Sequence, residues 1–159
     1  LNGFVTETLV LGVGATVVSD LWQALVIKLT EDKVPNWRSV GRWVLGVPKG
    51  RLMDPDFASR PALPGENAVG WVFHYVIGVG YGLVYLLALM AFGAAPGLAN
   101  ALLFGALTLA APMFFLKPAM GGGLFGWRAA QPWRGTLKTV SAHLSFGVGL
   151  WLSAFLVAG

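Results

Sequence analysis

Three side chains stand where their chemistry would be costly unless it is used: Asp20, His74 and His143. Asp20 is the one carboxylate set deep within a long apolar run, and the two histidines are the only ones in the chain. A charge in such surroundings costs at least a few kcal/mol, so Asp20 should face inward with a partner or be protonated. Imidazole, which titrates near neutral pH, is its natural partner. Ser19, Thr16, Tyr75, Ser141 and Ser145 could complete a polar pocket. Four readings follow from these residue types. They could be interhelical hydrogen bonds that orient a bundle, or a proton or small-ligand site in which Asp20 titrates against a histidine. They could also be a haem held axially by His74 and His143, or a divalent metal on two histidines and a carboxylate.

The elements that must position them are read from composition. Hydrophobic residues make up 56% of the 159 residues and charged residues 11%, against about 25% charged in soluble domains. So few charges cannot cover a soluble surface, and lipid must cover much of it. The sequence predicts an all-α integral membrane domain over 1–159, a four-transmembrane-helix bundle. Its spans are expected near 4–27, 69–92, 98–116 and 139–158, each long enough for a core of about 30 Å. Glu7 before the first apolar run and Lys28 after it argue for a retained span rather than a signal peptide. Gly93-Ala94-Ala95-Pro96-Gly97 makes a tight hairpin between the second and third spans. All 11 Lys and Arg fall in the connections 28–68 and 117–138. The positive-inside rule therefore makes both loops cytoplasmic and both termini external. The net charge of +4 is then read as basic loops against an anionic leaflet.

On this topology His74 lies about 5 residues inside its span and His143 about 4, so the two share a depth. Asp20 lies about 8 residues, or 12 Å, before Lys28. The motifs His74-x-x-x-Gly78-Val79-Gly80 and His143-x-x-x-Gly147-Val148-Gly149 echo each other, as two parallel repeats would. Gly78, Gly82 and Gly147 are candidates for close helix packing, within the chain or against a second copy or a partner's helix. In the first loop, residues 36–45 predict a short interfacial helix. Trp37, Val40 and Val44 share one face and Arg38 and Arg42 another, so Trp37, Arg38, Arg42 and Trp43 are candidate membrane-surface residues. The run Gly121–Gly123 with Lys117 nearby could cradle an anion, or simply be a flexible loop.

The absence of cysteine excludes disulfides, iron–sulfur clusters and thiolate zinc sites. No P-loop, nucleophile elbow, HExxH or dinucleotide fingerprint is present, and nothing suggests nucleic acid.

A resemblance rests on several of these stretches: Gly14-Ala15-Thr16 with Asp20-Leu21-Trp22, Val40-Gly41-Arg42-Trp43, and Gly70-Trp71 with His74-Tyr75. It continues through Pro112-x-Phe114, Lys117-Pro118-x-Met120-Gly121 and His143-x-x-Phe146-Gly147. Together they resemble a family of bacterial inner-membrane proteins, domain of unknown function 2938, in which Gln often precedes the proline at the position of Lys117. The resemblance implies a four-helix protein of the bacterial inner membrane and implies that Asp20, His74 and His143 belong together; it brings no activity. The expectation is a non-enzymatic module that binds lipid or a membrane partner, as a homo-oligomer or as a subunit of a larger complex. The alternative is proton or small-solute transport, or cofactor binding, at Asp20, His74 and His143.

Overall fold

The structure, a computed structural model, describes residues 2–30 and 35–157. Lys33 and Ala158, which belong to the expected first loop and last span, lie outside them. Among the described residues there are helices and turns and no strand. The helices are α1 (Asn2–Thr30), α2 (Trp37–Gly46), α3 (Glu66–Phe92), α4 (Leu98–Thr108), the single turn α5 (Lys117–Ala119) and α6 (Pro132–Ala154).

The ends of these helices follow local chemistry. The Asn36 side chain accepts from the Ser39 amide and starts α2, and Pro48 follows the end of α2 closely. Gly65 (φ 78°) turns the chain into α3, where the Glu66 carboxylate reaches back to the Leu63 amide at 2.9 Å. At the far end of α3 Gly93 takes φ 59°, while Ala94 N–H bonds to Leu89 and Gly93 N–H to Met90. That pair of bonds is a Schellman stop. Asn100 then ties the hairpin, accepting from Gly97 N–H and Tyr85 O–H and donating to the Ala95 carbonyl.

The third expected span is helical but not uniform. α4 gives way after Thr108, and residues Ala111–Leu116 form a wider π turn before α5. Pro112 has no N–H to continue the α pattern, and a widened turn accommodates the loss. Helical segments Gly3–Thr30, Glu66–Phe92 and Leu98–Ala119 are long and apolar enough to cross a membrane. α6 differs: it starts at Pro132, seven residues before the expected span, carries Arg134 and Lys138 in its first two turns, and gives way to a turn at residues 155–157.

The chain divides into two compact units. The described residues of the first are 2–30, 75–108 and 140–157, and its core is Leu11, Ala15, Tyr85, Leu89, Ala101, Phe146, Leu150 and Ala154. Glycines let its helices approach until backbones touch. A methyl on Gly82 would lie 2.6 Å from Gly12 N, one on Gly147 would lie 2.6 Å from Ala101 O, and one on Gly149 would meet Ala15 Cα at 2.6 Å. α1 thus packs on α3 and α6, and α6 on α4. The outward positions of α1 are apolar at every fourth residue, Val5, Leu9, Val13, Val17 and Leu21. The second unit comprises 35–74 and 109–139, with Trp43, Phe57 and Ala119 at its core.

Candidate functional site

In the first unit, helix packing gathers hydroxyls, a carboxylate and an imidazole. Ser19 Oγ on α1 donates to the Ala142 carbonyl on α6 at 2.9 Å, which sets Asp20 and His143 at the same level of adjacent helices. Ser145 Oγ donates to the same carbonyl at 2.8 Å and lies 3.4 Å from Ser19 Oγ. Asp20 Oδ2 accepts from Tyr75 O–H at 3.1 Å. Thr16 turns its hydroxyl to its own helix, donating to the Gly12 carbonyl at 2.7 Å. Gly78 sits against that same threonine side chain.

His143 Nδ1 lies 2.7 Å from Thr108 Oγ1, whose hydroxyl is 2.6 Å from the Gly105 carbonyl. Thr108 has one proton for two partners. A carbonyl can only accept, so a proton given to Gly105 obliges Nδ1 of His143 to carry hydrogen and donate. Thr108 escaped the sequence reading because it sits 35 residues from its partner, and no local pattern ties them.

His74 belongs to the second unit. Its ring stacks on Trp37 with centroids 3.9 Å apart and an interplanar angle of 26°, and meets Trp71 at 5.8 Å. None of Asp20, His74 and His143 is without a partner. Among the described residues no three His, Asp or Glu side chains gather into a group that could hold a metal ion.

The second unit also holds a two-bond arginine–carboxylate pairing that the sequence reading missed. Glu66 is 2% exposed and is engaged by Arg42 Nε at 2.8 Å and a second Arg42 nitrogen at 3.1 Å. Arg38 adds a contact at 3.3 Å. Arg42 also donates to the Arg60 carbonyl, and Arg60 in turn forks onto Asp54 at 2.9 and 3.1 Å. The Arg60 hydrogen bonds hold the Asp54 carboxyl below its ordinary pKa, and Glu66 raises that of Arg42. Two glycines make the approach of α2 to α3 possible: a methyl on Gly41 would strike the Glu66 carbonyl, and one on Gly70 the Trp37 carbonyl.

This corrects part of the membrane-surface expectation for α2. Trp43 is 6% exposed, and its indole N–H donates to the Leu52 carbonyl at 2.9 Å, so it serves the core and not the surface. Arg42 is likewise turned to a carboxylate. A buried Glu66 gives this face of the helix a better partner than headgroups would. Arg38, with its side chain 65% exposed, keeps an open surface, and Trp37 is half-buried under His74.

A family described as "Protein of unknown function (DUF2938)" matches residues 9–157. The chain belongs to this family. Every stretch just described lies within the matched residues, so both the Asp20–Tyr75 and the Arg42–Glu66 pairings fall in the family's part of the chain. No curated protein and no solved structure matches it.

Proposed function

We propose that this DUF2938 chain is a non-enzymatic, multi-pass protein of the bacterial inner membrane, a four-helix module that binds anionic lipid or a membrane partner. One observation carries the reading. The first unit turns apolar side chains outward, while Gly12, Gly82, Gly147 and Gly149 pack against neighbouring backbone and the Thr16, Ser19 and Thr108 hydroxyls bond within it. A helix apolar on its outer face as well as its inner one belongs in lipid, and a unit packed backbone to backbone offers a solute little passage. The loops 28–68 and 117–138 are then cytoplasmic, where their basic residues meet an anionic leaflet. Cysteine introduced at Ser59 should react with an impermeant thiol reagent only from the cytoplasmic side; labelling from outside overturns the topology.

A second reading has its own observation, the Asp20–Tyr75 and His143–Thr108 pairs set level on adjacent helices. Such a line could carry protons. Proteoliposomes with an internal pH dye decide between the two. The module reading expects no flux above protein-free liposomes. Flux that disappears in Asp20→Asn replaces it with transport.

A further inference from the structure

The segment between α5 and α6 is built from left-handed turns: Gly121, Gly123 and Gly126 all have φ between 73° and 76°. Between them Phe125 adopts φ 56°, the one positive φ of a non-glycine residue among the described residues. An aromatic residue there is strained and must be held. Its carbonyl accepts from Thr136 Oγ1 at 3.1 Å and faces Lys117 Nζ at 3.4 Å, and its ring packs edge-on against Phe114. The backbone amides of Gly121, Gly122, Gly126, Trp127 and Arg128 are all bonded within the segment. These bonds show the glycines shaping the loop, and the charged side chains beside it are groups that an anion could meet.

Two cations are available for that. Lys117 is half-buried, its chain laid along Gly126, and its ammonium meets the Met113 thioether and the Phe125 carbonyl, both at 3.4 Å. The carbonyl contact is long for a group with three strong donors. The Arg128 side chain lies along Gly123 of the same loop. Among the described residues neither cation has a carboxylate within ion-pair reach; the ion pairs lie at Glu66 and Asp54. Beside them Leu124 (57% exposed), Phe125 and Trp127 (76% exposed) stand open. Cations beside unburied aromatic and aliphatic side chains match a phospholipid, which presents a phosphate above acyl chains.

We propose that Lys117 and Arg128 bind the phosphate of an anionic phospholipid, with Leu124, Phe125 and Trp127 seated among its acyl chains. The site deepens the lipid-binding reading above and rests on it. The shared chemistry is a phosphate, so the test must separate lipid from free phosphate. Purified full-length protein in mild detergent is incubated with equal amounts of phosphatidylglycerol and phosphatidylcholine, and bound lipid is counted by native mass spectrometry. The wild type should retain phosphatidylglycerol preferentially. Lys117→Gln with Arg128→Gln should weaken that retention by about thirtyfold, about fivefold for each cation. Lys117→Arg should keep it, which separates loss of charge from loss of fold. Lys49→Gln with Arg51→Gln, in the other basic loop, should leave it unchanged. An equal loss in that control, or full retention in the Lys117/Arg128 double variant, overturns the site. Displacement of the lipid by an equal concentration of inorganic phosphate assigns the site to free phosphate and overturns the lipid. Failure of the Ser59 test would instead strike the cytoplasmic placement of the loops and leave the detergent binding result standing, so the two failures are told apart.

Discussion

Replacing Gly12 with alanine puts a methyl against the backbone of α3. That methyl would fall on Val79 Cα, 2.8 Å from the Gly78 carbonyl oxygen and 2.9 Å from Val79 N. Non-bonded carbons settle at about 3.5–4.0 Å, so α1 and α3 must separate locally by about 1 Å, a gap that forfeits up to about half of each dispersion contact along the seam. The atoms in the way are backbone and cannot rotate aside. Overpacking of this kind costs about 1–3 kcal/mol. Alanine also favours the helix over glycine by about 0.8–1.0 kcal/mol, so the net loss is smaller than the clash alone. Gly80→Ala isolates that gain, because nothing lies within 4 Å of its would-be methyl. The propensity term is common to both variants, so their stabilities should differ by the clash itself, about 1–3 kcal/mol with Gly80→Ala the more stable. Denaturant titration in detergent micelles, followed by circular dichroism, measures the difference. Equal stabilities, or Gly80→Ala as damaged as Gly12→Ala, would refute the packing assigned to α1 and α3.

Thr108→Val keeps the shape of the side chain and removes the hydroxyl from His143 Nδ1; it should cost about 0.5–1.5 kcal/mol. The ¹⁵N shifts of His143 should also move away from an Nδ1–H pattern, and an unchanged spectrum would deny the tautomer. The Asp54–Arg60 pair should make the second unit acid-sensitive. Asp54 has its pKa lowered on folding, so its stabilisation is complete above the unfolded carboxylate value of about 4. It is lost as pH falls through the lower folded value. Amide exchange of residues 54–60 should therefore accelerate below about pH 4, and Asp54→Asn should exchange fast already at neutral pH. Glu66→Gln should loosen α2 from α3, read as faster proteolysis within residues 47–64 while the helices of the first unit stay protected. Trp43→Phe leaves the Leu52 carbonyl without its donor and should cost about 0.5–1.5 kcal/mol.

How far the sequence could be read depends on the range of the physics at each place. The hairpin at Gly93–Gly97 was legible because a left-handed glycine and a proline act within a few residues, and α2 because Arg38 and Arg42 stand four apart. Even there, Asn100, which ties the hairpin through three hydrogen bonds, passed as ordinary helix. α6 begins seven residues before the span expected from 139, because hydropathy marks where apolar residues begin. A helix can begin earlier on a proline and polar turns, as this one does at Pro132. Partners distant in sequence left no local trace. The arginines of α2 read as membrane-facing because a free amphipathic helix has nowhere else to put them, yet Glu66, 24 residues beyond Arg42, claims one fully and touches the other. The general inference is that a carboxylate at the mouth of an apolar helix should be matched against arginines of the preceding loop before either is assigned to lipid. The fork-to-carboxylate geometry offers two charge-assisted bonds where a headgroup offers a contact shared with water. By the same logic Lys117 and Arg128, which among the described residues have no carboxylate within ion-pair reach and stand beside exposed apolar side chains, are the ones to offer an external anion.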